Sequence, residues 1–313
     1  MGTCLIYSPR FLDHDTGLGH PERPQRIQAI IDSLQNNAIW NKLIHITPEI
    51  KDPQIPSLIH DPAYIKRVAL TCDRGEQYID TFDNTICSES YSIAILAANA
   101  AAEGIDYIMA NDGNRSMIIP RPPGHHAEYD QAMGFCLFNN VAIAARYAQK
   151  KYSLTRLAII DYDVHHGNGT QHLFDNDPNI LYVSMHRYPF YPGTGAKNET
   201  GMGDGLGTTH NYPLDQGAGD DIYTDIMDNS IADILIKFKP EILILSSGFD
   251  AHELDPLGGM TISTVGYMKL SSTLVAIARE CCGGRILSIL EGGYSLQGLA
   301  ESMEVHLQEL MKD

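Results

Sequence analysis

Basic residues are scarce in this chain. Lys and Arg number 22 against 39 Asp and Glu, a formal net charge of −17 over 313 residues. A nucleic-acid surface needs a basic footprint, so the balance argues against direct contact with DNA or RNA. It is compatible with a basic protein or a polyamine as substrate, and equally with acidity that serves only solubility. Closely spaced cysteines are missing too. Cys4, Cys72, Cys87, Cys136, Cys281 and Cys282 form no CxxC pair, which predicts reduced thiols and a cytoplasmic setting. The start lacks the basic residues and apolar core of a signal peptide, and no apolar run reaches membrane-spanning length. With no repeat, low-complexity segment or linker, residues 1–313 read as a single domain.

What is present is an alternation of short apolar runs and amphipathic stretches. Strands are predicted over 3–7, 116–120, 157–160, 180–185, 241–245 and 285–290. Helices are predicted from Pro24 through Ile27, Ile30, Ile31 and Leu34, around Tyr64 and Val68, and over 88–109. Further helices are predicted up to Lys150 and over 220–238, 264–279 and 295–311. Strand, loop and helix in repetition imply a mostly parallel sheet covered on both faces. Residues 187–219 read as one long Gly-rich loop, made functional by Tyr188, Phe190 and Tyr191.

The chemistry gathers at strand ends. The run Leu157–Ile160 leads into Asp161-Tyr162-Asp163-Val164-His165-His166-Gly167-Asn168-Gly169. Continued strand alternation would point Asp161, Asp163 and His165 to one side. Two carboxylates there repel unless a cation lies between them, and Asp/His ligation suits zinc. Asp250, after the run 241–245, completes a predicted set of Asp163, His165 and Asp250 with a position left open for water or substrate. Its alternative role is a helix cap.

His125 and His126 follow a Pro-Pro-Gly turn, and each needs a partner on its far nitrogen. Asp161 and Asn168 are available; a carboxylate would raise its histidine's basicity, whereas an amide would mainly orient the ring. Tyr294 follows Gly292 and Gly293, where its hydroxyl could serve a developing oxyanion. Phe135, preceded by Gly134, and Tyr191 could wall an apolar slot for a linear aliphatic chain, if they are not ordinary core aromatics.

The segments RPPGHHA, GFCLFNN, DYDVHHGNGTQ, SSGFDAH with DPLGG, and LEGGY, in that order, resemble the zinc-dependent histone deacetylases, closest to the class II branch and its bacterial relatives. The resemblance runs from HPERPQRI to the last strand. It implies the arginase/deacetylase fold, a three-layer α/β/α arrangement around a mainly parallel eight-stranded sheet. It implies that Asp163, His165 and Asp250 hold Zn2+, and that His126 is general base and then acid with His125 as electrostatic support. Asp161 would be the partner of His125, and Asn168 matches the class II residue at the partner position of His126. Tyr294 would be the transition-state tyrosine, and Phe135 and Tyr191 the tunnel walls. Asp161 and Ser184 match side-chain contributors to a K+ site. Gly134, Gly293, Leu257 and Asp83 fall among the substrate contacts. The resemblance implies lysine deacetylation of an acetylated protein or peptide, with an acetylpolyamine amidohydrolase as alternative; Leu257, where polyamine-selective relatives can place an acid, favours the peptide. An arginase-like ureohydrolase with two metals and a silent acyl-lysine binding module are further rivals.

Overall fold

The protein is described by a computed structural model covering residues 2–110 and 115–312. Its strands are β1 Thr3–Ile6, β2 Ile44–Ile46, β3 Tyr78–Ile79, β4 Thr81–Thr85 and β5 Arg115–Ile118, then β6 Leu157–Asp161, β7 Ile180–Arg187, β8 Thr209–Leu214, β9 Ile242–Ser247 and β10 Ile286–Leu290. Eight of them form one sheet in the order β2-β1-β5-β10-β9-β6-β7-β8. Every neighbouring pair in it is parallel. β3 and β4 make a separate antiparallel pair.

The helices are α1 Gln25–Gln35, α2 Pro62–Asp73, α3 Ser90–Ala110, α4 Asn140–Tyr152 and α5 Asn168–Phe174, then α6 Asp220–Asp225, α7 Ala232–Phe238, α8 Thr264–Cys282 and α9 Leu296–Leu310. They cover both faces of the sheet. Alternate residues of a strand enter opposite cores: Leu157 and Ile159 pack with Ile93, Leu96 and Val141 of α3 and α4. Ala158 and Ile160 pack with Ile27, Leu274 and Leu299 of α1, α8 and α9. Burial on both sides is why these strands are unbroken apolar runs rather than alternating ones.

The sequence-based reading needs three corrections here. The stretch 187–219 is not all loop, because β8 lies within it as the sheet's last strand. Its Pro213 is tolerated on an edge, where one side of the backbone needs no partner. The segment 220–238 is interrupted, with a π-helical turn at Ile226–Ile231 between α6 and α7. And one helix, α3, is long and apolar enough to cross a membrane by length and composition; most of it is buried inside the fold.

β5, β10, β9, β6 and β7 are consecutive in the sheet, so the loops leaving their C-terminal ends emerge side by side. Helix caps fix where several of these loops stop. Asn139 caps α4 through Ala142 N–H, Ser263 caps α8 through Gly266 N–H, and Ser295, next to Tyr294, caps α9 through Gly298 N–H.

Candidate active site

The loops after β6 and β9 bring Asp163, His165 and Asp250 together, with one potential ligand atom from each lying within 4.8 Å of the others. His165 Nδ1 is 3.0 Å from Asp163 Oδ1 and 3.2 Å from Asp250 Oδ2. The other carboxylate oxygens are held from behind: Gly292 N–H donates to Asp163 Oδ2 at 2.8 Å, and Val164 N–H to Asp250 Oδ1 at 2.8 Å. A Cβ on Gly292 would lie 2.1 Å from Asp250 Oδ2, and one on Gly248 would lie 2.2 Å from Asp163 Oδ2, so both positions need glycine for the cluster to close. Strand alternation is not what aligns the set, because β6 ends at Asp161 and Asp163 and His165 lie in the turn beyond it.

Burial and the charge of Asp163 push the Asp250 carboxyl up to about 7. Burial opposes a charge on His165, yet hydrogen bonds to Asp163 and Asp250 raise its pKa to about 9. The field that draws a proton onto His165 would draw a divalent cation, and one imidazole with two carboxylates is a donor set that suits zinc.

The loop after β5 carries the paired imidazoles, with ring centres 4.0 Å apart. His125 Nδ1 is 3.0 Å from Asp161 Oδ2, and His126 Nδ1 is 2.7 Å from Asn168 Oδ1. Their electrostatics diverge. Burial disfavours charge on His125, but the carboxylates of Asp163 and Asp161 outweigh it and raise its pKa to about 10. Burial, followed by the neighbouring charges of His125 and His165, drives His126 well below the usual histidine range. The two rings are thus pushed in opposite directions, His125 toward its cationic form and His126 toward its neutral form.

A slot of about 110 Å³ reaches the cluster at His165, with the buried His126 and Tyr294 beside it. Its walls and mouth are Gly134, Phe135, Tyr191, Leu257 and Asp83, all expected from the sequence. The Tyr191 ring stands at 85° to His126 and the Phe135 ring at 83° to Tyr294. Gly134 is at φ +55°, and a Cβ there would meet His126 Cδ2 at 2.3 Å. Tyr294 is 9% exposed, and burial raises its pKa well above 10, so its hydroxyl stays protonated as a donor. Its backbone N–H donates to Asp255 Oδ2 at 2.7 Å.

Gly293 does not line the slot; its carbonyl accepts from Arg26 Nε at 2.6 Å. Asp161 and Ser184 face each other as register partners of β6 and β7, and the Ser184 hydroxyl is 2.9 Å from His186 Nδ1. Sequence reasoning missed several supporting groups. Glu291 is fully buried and accepts the N–H groups of Gly124 and His125 at 2.6 and 3.2 Å, tying the imidazole loop to the loop after β10. Phe190, already expected to be functional as an aromatic of the Gly-rich stretch, stacks on His165 with ring centres 5.2 Å apart. Arg26, Glu22 and Asp255 are the other missed groups. All lie within the motifs quoted above or the Gly-rich stretch, but nothing in their spacing reveals what they touch.

Fold and site together define a protein of the arginase/deacetylase type. The chain belongs to the histone deacetylase family, whose histone deacetylase domain matches residues 20–310. It is 37% identical to histone deacetylase 14, chloroplastic, of Arabidopsis thaliana, over 98% of this chain and 76% of that protein. It is 34% identical to the human polyamine deacetylase HDAC10, over the whole of this chain and 48% of that one. The crystal structure of the HDA15 HD domain superposes with a TM-score of 0.93 at 35% identity, covering 99% of this chain and 89% of that one.

Proposed function

We propose that the protein is a zinc-dependent lysine deacetylase of class II character that hydrolyses the acetyl amide of acetyl-lysine in proteins or peptides. The observation that carries this reading is the slot: two aromatic rings wall a space for an aliphatic chain that ends between His126, Tyr294 and the Asp163–His165–Asp250 cluster. Asp163, His165 and Asp250 would hold zinc, which when bound would polarise the amide carbonyl and acidify a water. His126, kept neutral by burial, takes the proton from the attacking water. The Tyr294 hydroxyl donates to the oxyanion that forms as the water oxygen bonds to the carbonyl carbon. His125, held cationic against Asp161, stabilises that negative charge. Protonated His126 then gives its proton to the lysine nitrogen as the C–N bond breaks, leaving acetate and a free amine. Asp161 and Ser184 would take part in a structural K+ site.

The alternative substrate is an acetylpolyamine, favoured by the likeness to a named polyamine deacetylase. Leu257 at the slot mouth favours the peptide, because an acid there would be the natural partner of a second ammonium group. We further read 1–313 as a single catalytic domain that acts without nucleic acid or membrane, in the cytoplasm.

The test is a panel of acetyl-lysine peptides and acetylspermidine, assayed for acetate with and without a chelator, alongside metal analysis. Chelator-sensitive acetate release with kcat/KM highest on peptide, at about one zinc per chain, is the expected result. A ratio near two metals per chain would favour a ureohydrolase-type centre, and peptide binding without acetate release would reduce the protein to a binding module.

A further inference from the structure

His126 can act as a base only if its proton sits on Nδ1, leaving Nε2 free. Nδ1 then has to donate, and the group facing it is the Asn168 side-chain amide at 2.7 Å. An amide is two-faced. Turned one way it presents Oδ1, an acceptor that stabilises Nδ1–H. Turned the other way it presents its NH2, which would favour the tautomer with the proton on Nε2 and remove the base. An aspartate in that place would have no wrong face; asparagine needs something to hold it.

What surrounds the other end of the amide decides the question. Asn168 Nδ2 is 2.5 Å from Glu128 Oε1, 3.4 Å from the His126 carbonyl oxygen and 3.5 Å from Met133 Sδ. None of the three can donate a hydrogen bond. Flipping the amide would put Oδ1 against a carboxylate, at a cost well beyond that of an ordinary unmade hydrogen bond.

Glu128 is itself anchored at both ends. Its backbone carbonyl accepts from His60 Nδ1 at 2.8 Å, and its carboxylate meets His172 Nδ1 at 2.9 and 3.1 Å. It does not line the slot. We propose that Glu128, braced by His172, is a positioning residue for the reaction: its carboxylate locks the Asn168 amide and thereby fixes the tautomer of His126. Glu128 acts through Asn168 as a carboxylate held one residue further out, and the arrangement rests on the reading of His126 as base.

The test uses the zinc-loaded protein and Glu128→Gln, which keeps the shape but can donate as well as accept, with Glu128→Ala beside it. We expect kcat to fall on the order of 10-fold with KM within about twofold, the scale for losing an outer partner that orients a histidine. Imidazole ¹⁵N signals of His126 should move from the Nδ1–H pattern toward a mixture of tautomers. In an Asn168→Asp background, where residue 168 has no donor face, Glu128→Gln should cost nothing further or restore activity by relieving carboxylate repulsion. Unchanged kcat and unchanged ¹⁵N signals in Glu128→Gln would overturn the lock. So would an equal loss in both backgrounds, which marks a general structural role. If the unsubstituted protein releases no acetate, the proposed function falls, and the ¹⁵N measurement still decides the lock.

Discussion

The guanidinium of Arg26 lies 5.0 Å from the centre of the Tyr294 ring while donating to the carbonyls on either side of Gly292, those of Glu291 and Gly293 at 2.5 and 2.6 Å. Its remaining nitrogen meets Glu22, whose carboxylate also takes a two-pronged contact from Arg121 at 2.5 and 2.8 Å. The fully buried Glu22 carboxylate thus joins α1 to the imidazole loop through two guanidinium groups, and Arg26 carries the link on to the tyrosine loop. Glu22→Ala would leave two buried guanidinium groups without their anion. We expect a loss of roughly 3–5 kcal/mol in unfolding free energy, read from denaturant melts. A loss below about 1 kcal/mol would show that the three segments do not depend on this junction.

Tyr294→Phe removes one hydroxyl and keeps the ring on Arg26. Turnover should drop on the order of 100-fold or more, as for other oxyanion donors, with zinc content unchanged. Undiminished kcat would take the phenol out of the chemistry.

Leu257→Glu places a carboxylate at the slot mouth, beside Asp83. A second ammonium in the substrate would gain about 1 kcal/mol after solvent screening, so the ratio of kcat/KM on acetylspermidine to that on an acetyl-lysine peptide should rise roughly 5-fold. A ratio that stays fixed would mean that this position does not select substrate.

Acid should destabilise the fold in two stages. Burial holds His14 and His60 at about 4 and His306 at about 3, below the 6.5 of a free histidine. His60 shows why: its Nε2 accepts from Asn139 N–H at 2.8 Å, a bond that protonation would destroy. Between pH 6.5 and about 4 the unfolded chain takes up protons that the folded one refuses, so stability present above 6.5 falls as the pH drops. Glu22 follows. Burial opposes its charge, but Arg121 and Arg26 bring its pKa to about 2 from 4.5, so its contribution is intact above 4.5 and is lost as the pH falls toward 2. Asp250 and Glu291, raised to about 7 mainly by burial, work the other way between pH 7 and about 4. The check is therefore a comparison: the melting temperature of His60→Gln should fall less between pH 6.5 and 4 than that of the unsubstituted protein, and an equal fall would contradict the histidine assignment.

The central strands were legible from sequence because each is a local apolar run, whereas Gly134, Leu257 and Asp83 of the slot came only from the family resemblance and Phe135 and Tyr191 could as well have been core aromatics. β6, β7, β9 and β10 are apolar runs whose burial on both faces leaves no other reading. The edges were not legible. β2 is a three-residue strand, mostly exposed, and β8 carries Asn211 and Pro213 in a Gly-rich setting, so neither shows a strand's pattern. Candidate ligands and imidazoles announced themselves by residue type at strand ends. Glu22, Arg26, Glu128 and Glu291 did not, because their roles depend on partners about a hundred residues away or further, or on which face of an amide they meet.

The backing of Asp163 by the amide of Gly292 spans 129 positions of the chain and links the loop after β6 to the loop after β10. Those strands are not neighbours; β9 must lie between them first. Pairings this remote are slow to nucleate, since the entropy of closing the intervening chain is lost before any contact forms. On the reading that Asp163, His165 and Asp250 hold zinc, the site would be completed late in folding, since Asp163 gains its backing from Gly292 only once β10, β9 and β6 lie side by side.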